Sequence, residues 1–292
     1  MATELGDYLR SRRAQAPAAE LGVFEGGRKR RVQGLRREEL AELAGVSVDY
    51  ITRLEQGRVK TASLTVLNAL ARALRLRPDE HEYLLRCAEE GRAASPRATR
   101  PHSGFRQQRV LPATQLLLDS MTGVPAVVLG RRMDVLAWNA LGAALITDFS
   151  RFSGGQRNLI WLTFLDLQVR ARYQDWEAVA RDCVAFLRMD ASRYPDDARL
   201  ASLVGELSVK DEDFGRWWAD HRVRAQQVGR KRFLHPVAGP LTLNFQTLDV
   251  RGAANQTILV YTTEPGSPSA EALTFLDGWT SSDTATSSVR PT

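Results

Sequence analysis

Cysteine is scarce in this chain, and long apolar runs are missing from it. Among 292 residues there are two cysteines, Cys87 and Cys183, which lie far apart within segments of helical pattern. Such a pair argues against a disulfide framework and a cysteine metal site, and a reducing cytoplasm fits best. The longest stretch without a polar residue, 124–130, spans about seven residues, whereas a bilayer span needs roughly 18. Glu4 and Asp7 near the start, with no apolar stretch behind them, are unlike a signal peptide.

Motifs of catalysis and metal binding are missing as well. The four histidines have neither HExxH spacing nor a cysteine companion, and there is no Walker sequence, Rossmann fingerprint or G-x-S-x-G elbow. The triplet at 213–215 spells the DFG of protein kinases, but no catalytic loop accompanies it. We therefore expect a protein that is not an enzyme and that needs no cofactor and no metal.

What the chain does have is an uneven distribution of positive charge. Residues 1–100 contain 19 Lys and Arg against 14 Asp and Glu, whereas residues 101–292 contain 21 against 20. Within 8–37, nine basic residues stand against two acidic ones. Such a local excess attracts a polyanion, although on this count alone a solvated charged face is the alternative.

Residues 1–90 predict an all-helical domain. The segment 16–34 is rich in glycine and is expected to be a loop. Gly45 suits the left-handed end of a helix. Apolar residues recur with a helical period in five segments, namely 3–15, 36–44, 48–56, 62–76 and 78–90.

The rest of the chain predicts a linker, a mixed α+β domain and a tail. Residues 91–110 lack an apolar period and indicate a linker, 111–280 indicate the mixed domain, and the Ser/Thr-rich 281–292 indicate a disordered tail. Strands are expected at 126–130 and 133–138, joined by a hairpin turn at Arg131-Arg132, and at 223–227, 230–235, 240–248 and 257–263. Helices are expected at 139–147, 157–167, 174–190, 196–207, 211–221 and 268–279.

The strongest local signal lies at 35–58, with the sequence LRREELAELAGVSVDYITRLEQGR. It predicts a short helix, a turn at Gly45, and a second helix that Ser47 caps and that shows polar side chains to solvent. A helix presented in this way fits the major groove of DNA. A helical hairpin inside a core is the alternative, but the cap, the glycine, the period and the basic loop all favour the first interpretation.

These residues resemble the helix-turn-helix of the XRE, or Cro/repressor-type, regulators. More closely, 26–58, GGRKRRVQGLRREELAELAGVSVDYITRLEQGR, resembles the MmyB-like branch, which carries such a basic, glycine-rich loop between its first two helices. The similarity covers about 3–278 and continues through VPAVVLGRRMDVLAWNALGAAL, RNLIWLTFLD, DWEAVARDCVAFLR, DDARLASLVGELS, KRFLHPVAGPLTL and VYTTEPGSPSAEAL. The resemblance implies an all-α, lambda-repressor-like DNA-binding domain and an α+β, PAS-like domain that binds a hydrophobic small molecule, with fatty acids the reported class.

The resemblance also places residues at the DNA. Arg53 suits a guanine because its fork bonds two acceptors, and Asp49 suits the amino group of a cytosine. Arg13 and Glu55 match a buried structural pair. Many XRE proteins have Gln where this chain has Arg37, so its phosphate contact is expected to be ionic. The groove-facing candidates are Ser47, Val48, Asp49, Tyr50, Thr52 and Arg53, and the phosphate-facing ones are Arg28, Lys29, Arg30, Arg31, Arg36, Arg37, Arg58 and Lys60.

In the mixed domain, aromatic and apolar residues are candidate walls of an apolar cavity of several hundred Å3, with ordinary core packing as the alternative for each. The candidate wall residues are Trp138, Trp161, Phe164, Leu165, Trp176, Phe186, Phe233 and Phe245. Polar neighbours that suit a carboxylate or carbonyl head group are Asn139, Tyr173, His221 and Arg224.

Taken together, these features predict a homodimeric regulator that binds double-stranded DNA at a pseudo-palindromic operator. Its second domain is expected to sense a small hydrophobic, fatty-acid-like ligand, in the cytoplasm at the nucleoid and without a membrane. One alternative is that this domain serves only dimerisation or protein interaction. A less favoured one is an enzyme fused to a DNA-binding domain.

Overall fold

The computed structural model describes residues 3–17, 34–59, 62–93, 108–194, 196–221, 223, 228–253 and 255–287. The chain forms two compact units. The first comprises residues 1–104 together with 192–195 and 217–225, and the second comprises 105–191, 196–216 and 226–292. Within the described ranges, no helix combines the length and the apolar character that crossing a bilayer requires.

The first unit is built from α-helices. Thr3, Ser47 and Ser63 cap the first, third and fourth helices through their side-chain oxygens. Gly45, with φ of 66°, ends the second helix in the left-handed conformation. The predicted helices are thus confirmed, with ends shifted by up to three residues. Their bounds are α1 Glu4–Gln15, α2 Arg37–Ala44, α3 Val48–Glu55, α4 Leu64–Ala73 and α5 Pro78–Ala93.

Buried apolar side chains from all five helices form the core of this unit. Most of the apolar positions that repeat every three to four residues point inward, because that spacing returns to the same helix face, whereas Leu43 and Leu64 are exposed. The fully or nearly fully buried residues are Leu9 of α1, Leu40 of α2, Ile51 and Leu54 of α3, Leu70 of α4 and Leu84 of α5.

Glu55, the last residue of α3, lies in this core as a charged group. Its side chain is 1% exposed, and its two carboxylate oxygens accept hydrogen bonds from Arg13 Nε at 2.6 Å and Arg37 Nε at 2.8 Å. Its backbone carbonyl accepts from Arg10 Nη2 at 2.7 Å. Gly6 of α1 allows the two helices to approach closely, since a Cβ there would lie 2.7 Å from that carbonyl oxygen. The predicted buried pair of Arg13 and Glu55 is present, and Arg37 joins it.

The second unit carries a five-stranded antiparallel sheet. Its strands are β1 Ala126–Leu129, β2 Val135–Trp138, β3 Val228–His235, β4 Gly239–Asp249 and β5 Thr257–Thr262. Their order is β2-β1-β5-β4-β3, so the first two strands form one edge and the last hairpin forms the other. The turn between β3 and β4 follows the predicted HPVAGP segment, where the His235 ring accepts from the backbone N–H groups of Val237 and Ala238.

Most of the helices of this unit occur between β2 and β3 in the chain. The helices that bracket the strands are α6 Pro112–Ser120 at the beginning and α13 Pro268–Ser287 at the end. Those between are α7 Ala140–Leu145, α8 Leu159–Leu165, α9 Leu167–Arg172, α10 Trp176–Arg193, α11 Ala198–Lys210 and α12 Glu212–Ala219. The mixed α+β class predicted for this part of the chain is confirmed.

Four expectations for this unit need correction. Helix α6 is absent from the sequence prediction, since exposed Leu116 and Leu117 obscure a helical period there. The helix predicted at 157–167 is two helices, since Asp166 begins a new one by capping Val169. No strand begins at Val223, and residues 224–227 lie outside the described part. Helix α13 extends past its expected end at 279 and reaches Ser287, although Gly278 lies within it.

The turn at Arg131-Arg132 is also not a simple hairpin turn. Residues 131–133 form a 3-10 helix, and Arg132 and Met133 have φ of 58° and 64°. Both guanidinium groups lie 2.6 Å from Asp197 Oδ2, which is 4% exposed at its side chain and also caps α11. A turn that brings two cations to one carboxylate 65 residues away cannot be recognised from its local sequence.

The charge on Glu55 should stabilise the first unit in a pH-dependent way. Burial raises the pKa of this carboxyl, but the hydrogen bonds from Arg13 and Arg37 outweigh it and leave the pKa below the usual value. A carboxyl with a lowered pKa in the folded state stabilises the fold above its unfolded pKa and loses this effect as the pH falls through the folded pKa. Glu55→Gln should therefore lower the free energy of unfolding by about 2–4 kcal/mol at pH 7, and by less below about pH 4.

Hydrogen exchange of α1 and α3 at both pH values measures this difference. Glu42→Gln, which changes an exposed acid of α2, is the matched control and should leave exchange unchanged. An equal loss of protection at pH 7 and pH 3 would contradict the charge-based explanation.

Candidate nucleic-acid interface and candidate ligand site

Helices α2 and α3 form a helix-turn-helix whose second helix has two distinct faces. Ala41 is 2% exposed, which permits the close crossing of the two helices, and Gly45 provides the turn. Ser47 Oγ accepts from Tyr50 N at 3.1 Å and begins α3. Ile51, Leu54 and Glu55 anchor this helix in the core, so its exposed residues are available to a partner.

The exposed face of α3 contains all six residues predicted to face the groove. Ser47, Val48, Asp49 and Arg53 are exposed, and Tyr50 and Thr52 are half-buried. Thr52 Oγ1 donates to the carbonyl of Val48 at 2.9 Å, which orients this hydroxyl along the helix. The arrangement gives a short polar surface with one apolar side chain, Val48, of the kind that reads base edges.

Arg53 and Asp49 interact with each other one turn apart on this face. Arg53 Nη1 lies 3.7 Å from Asp49 Oδ2, and the two side chains are 58% and 77% exposed. An exposed pair of this kind contributes less than about 1 kcal/mol, so contacts with bases can replace it easily.

The described residues that are predicted to contact phosphates differ in exposure and in ion pairing. Arg36 is exposed immediately before α2, and Arg58 is exposed after α3. Arg37 differs from the expectation of a free ionic contact, because its Nε is held by the buried Glu55 at 2.8 Å and its side chain is 42% exposed. Its charge is therefore partly neutralised by a residue 18 positions away. Arg28, Lys29, Arg30, Arg31 and Lys60 lie outside the described residues.

In the second unit, the structure brings part of the predicted ligand set together around the inner face of β3. Tyr173 and Phe233 are buried, with ring centroids 5.0 Å apart, and Phe233 lies 5.5 Å from Tyr261. Phe245 of β4 is also buried, and Lys231 lies between it and these rings. The Nζ atom of Lys231 is 4.7 Å from the ring centroid of Phe245. We call these five residues the β3 aromatic cluster.

A second aromatic group lies on the helices. The Phe164 ring of α8 packs edge-on against Trp176 of α10 at 5.7 Å and Phe214 of α12 at 5.2 Å. Trp176 Nε1 donates to the carbonyl of Thr163 at 2.8 Å, which fixes the indole. Cys183 of α10 is buried, and its thiol lies within hydrogen-bond reach of Thr163 of α8.

Four of the predicted wall residues have other surroundings. Trp138 of β2 packs against Phe149 with ring centroids 5.2 Å apart. Trp161 is half-buried, and its Nε1 donates to Glu206 Oε1 at 3.1 Å. Leu165 and Phe186 are half-buried on α8 and α10. Periodicity identified these residues as apolar-face positions, but it does not show which faces meet.

The polar residues predicted for a head group are also separated. Asn139 uses its whole amide within the fold, because Oδ1 accepts from Ala126 N and Gly142 N while Nδ2 donates to the carbonyls of Met121 and Val124. Its role is therefore structural. His221 belongs to the first unit, where Nε2 lies 4.0 Å from Glu4 Oε1. Arg224 lies outside the described residues, so of the four only Tyr173 joins the β3 aromatic cluster.

Sequence reasoning missed Lys231 and Tyr261. The signal for Lys231 was available, because Lys231, Phe233 and His235 alternate along β3 and side chains two apart share a face. A lysine on the inward-facing side of a strand is unusual and could have been identified from this alternation. Tyr261 could not, since nothing in a sequence shows that β5 pairs with β4 to place Tyr261 opposite Phe245.

The described residues contain other features that bear on function. No group of three or more His, Cys, Asp or Glu side chains within them is placed to hold a metal ion. The first unit has an open cavity of about 270 Å3 between α4 and α5, lined by Asn68, Ala71, Arg72, Arg75, Leu76 and His81. The apolar cavity expected in the second unit stays a prediction.

Comparison with known families covers both units. Residues 4–84 match a helix-turn-helix domain family, and residues 110–276 match the family described as MmyB-like transcription regulator ligand binding domain. No curated protein matches the chain. The first match includes the whole helix-turn-helix, and the second includes the β3 aromatic cluster.

Arg53→Ala should weaken binding to a DNA sequence selected by the parent protein from a random library. We expect a loss of about 1–3 kcal/mol, together with relaxed preference at one base pair of each half-site, because the two-acceptor contact with guanine disappears. Arg72→Ala removes an exposed arginine of α4, outside the helix-turn-helix, and is the control. An unchanged selected sequence in the Arg53 variant would remove Arg53 from base reading.

Proposed function

The chain belongs to the MmyB-like transcription regulators, and from this premise we propose that it binds an operator as a homodimer and changes its DNA affinity when a fatty-acid-like molecule occupies its second unit. The family matches make it a ligand-sensing, DNA-binding regulator. The observation that carries the DNA-binding part is the polar, exposed face of α3, anchored from behind by Ile51 and Leu54. Because its partner is DNA, we expect it to act in the cytoplasm at the nucleoid.

On DNA, we assign base reading to α3 and phosphate contacts to the residues around it. Arg53 contacts a guanine and Asp49 a cytosine amino group, while Val48 packs against a thymine methyl. Arg36 and Arg58 contact phosphates from the two sides, and Arg37 contributes through the nitrogens that Glu55 does not hold. Lys60 and the loop residues 28–31 complete the phosphate contacts in this proposal.

A homodimer would read two half-sites about one helical turn apart. Selection from a random DNA library should therefore yield a pseudo-palindrome, and footprinting should show protection of both halves. A single asymmetric half-site would argue for a monomer on DNA.

For the ligand, the two aromatic groups of the second unit support an apolar molecule. Their rings come from α8, α10, α12, β3, β4 and β5 and from Tyr173 after α9, and an apolar chain placed between helices and sheet would be surrounded by them. A ligand that favours one dimer geometry shifts DNA affinity by no more than its differential affinity for the two states. The competing proposal, that this unit serves only dimerisation, predicts no retained ligand. Catalysis is disfavoured because both families that match are regulatory.

Neutralising the loop should reduce the dependence of DNA binding on salt. Phosphate contacts release counterions, so affinity of the parent should fall on the order of a hundredfold or more between 50 and 200 mM salt. Changing Lys29, Arg30 and Arg31 together to Ala should flatten this dependence and weaken all sequences alike, as measured by fluorescence anisotropy. Arg72→Ala and Arg75→Ala together form the control. An unaltered salt dependence in the loop variant would place the loop away from DNA.

Saturated fatty acids from eight to eighteen carbons should raise the melting temperature progressively. Each buried CH2 contributes about 0.8 kcal/mol until the site is full, so the series should rise and then level off. Phe245→Leu, in the β3 aromatic cluster, should shift the chain length at which the series levels off. Trp161→Leu, which changes a half-buried aromatic residue bonded to Glu206, should not. A flat series in the parent would favour the dimerisation proposal.

A further inference from the structure

The sheet of the second unit has one face that is covered over only part of its width. All residues of β1 and residues 258–261 of β5 are buried, so both faces of these two strands are covered. In β3 and β4, exposed residues alternate with buried or half-buried ones over most of their length, and cross-strand pairing puts the exposed residues on one face. We call this exposed face of β3 and β4 the open half-sheet, and it lies opposite the β3 aromatic cluster.

Helix α6 covers the other half of the same face. Leu118 of α6 is fully buried and belongs to one apolar cluster with residues of β1 and with Ile258 and Val260 of β5. In the pairing of β5 with β4, Ile258 is opposite Leu248 and Val260 is opposite Gln246, and both β4 residues are exposed. The cover that α6 provides thus ends at β5, and the open half-sheet continues beside it.

Helix α6 has a second apolar side that its own sheet does not use. Leu116 points away from Leu118, because two residues turn an α-helix by about 200°. Leu116 is 69% exposed, and its neighbour Leu117 is also exposed. Asp119 is exposed next to them and is the single charged residue in the sequence of α6. The helix therefore presents an apolar surface with one negative charge on the side opposite its own sheet.

The open half-sheet has a matching character. Val228 and Leu248 are exposed apolar residues at one end of it. Arg230 follows Val228 on the same face, and its Nη2 lies 3.6 Å from Glu264 Oε1 in a pair whose side chains are 62% and 68% exposed. So exposed a pair leaves the guanidinium group able to bind a second carboxylate, since it has five N–H donors.

We propose that α6 of a second copy of the chain lies across the open half-sheet. This inference rests on the proposed homodimer, and it adds the surface through which the dimer forms. Leu116 then packs on Val228 and Leu248. Asp119 lies beside Arg230. The spacing fits, because the two α6 residues are about 4.5 Å apart along the helix, the two β3 residues are about 7 Å apart along the strand, and the long arginine side chain spans the difference.

A second copy fits this surface because each copy carries both halves of the contact. A twofold axis then forms the contact twice. The two α6 helices lie in one layer between two sheets, and each buries apolar residues on both of its sides. Direct pairing of two β3 edges is less favourable, because it brings the basic residues 230–232 of one copy beside those of the other.

Sedimentation velocity of the full chain over a concentration series measures the dimer. Leu116→Lys should raise the dissociation constant about tenfold or more, because it places an ammonium group against an apolar and basic surface. Val209→Lys is the matched control, since Val209 of α11 is 87% exposed and lies outside this surface, and it should leave the constant unchanged. Both variants should keep the melting temperature of the parent. An unchanged dissociation constant in Leu116→Lys would overturn the proposal.

Exchange of the two charges tests the register of the contact. Asp119→Arg and Arg230→Asp should each weaken the dimer, and the variant with both changes should regain it, because opposite charges meet again between the copies. Asp119→Arg combined with Arg199→Asp, which changes an exposed arginine of α11, is the control and should stay weak. Failure of the double exchange to restore the dimer would contradict this register.

Cysteine variants identify the surfaces that meet. Both native cysteines are buried, so a new exposed cysteine is the reactive one. A mixture of Leu116→Cys and Leu248→Cys proteins should form a disulfide-linked heterodimer on mild oxidation, whereas a mixture of Val209→Cys and Leu248→Cys should not. A link formed by Leu116→Cys alone, as efficiently as in the mixture, would place the two α6 helices against each other and overturn the assignment.

The outcomes separate failure of this inference from failure of the proposed function. If the parent is a monomer throughout the series and footprinting shows a single half-site, the homodimer fails and this surface fails with it. If the parent dimerises but folded Leu116→Lys dimerises equally well and the cysteine mixture gives no heterodimer, the homodimer stands and forms through another surface.

Discussion

The first unit depends on one buried carboxylate. Glu55 ends α3, the second helix of the helix-turn-helix, and its two oxygens bind Arg13 of α1 and Arg37 of α2, so three helices meet at a single charged group. Apolar packing alone is non-directional, whereas two ion pairs with defined donor atoms fix the rotation of each helix. The outward face of α3 is therefore held in a fixed orientation by contacts made at its opposite side.

Each unit holds a buried carboxylate between two arginines. In the first, Glu55 has two cationic partners, and in the second, Asp197 likewise binds Arg131 and Arg132. These groups are complete within the fold and stabilise it. Lys231 of β3 lies instead beside aromatic rings, with its Nζ 4.7 Å from the ring centroid of Phe245.

The helices of the first unit could be predicted because their signals are local. Caps at Ser47 and the glycine at 45 lie within a few residues of the helix ends that they determine. The role of Arg37 could not be predicted, since its partner Glu55 is 18 residues away. The aromatic residues of the second unit could be identified as inward-facing, but their pattern does not show which of them contact one another. Pairing of β4 with β5 and the path of the helices between β2 and β3 decide that, and neither is written in a local pattern.

The close approach at Gly6 has a consequence for how such a regulator changes over generations. The backbone of α1 at Gly6 packs against the carbonyl group of Glu55. Main-chain atoms therefore fix the orientation of α3, and substitutions on its outer face do not alter them. The exposed positions from Ser47 to Arg53 contribute little to the core. Substitutions at these positions can therefore change the DNA sequence that is bound while the fold keeps its stability. Duplicated copies of the gene can then acquire separate DNA targets without a new fold.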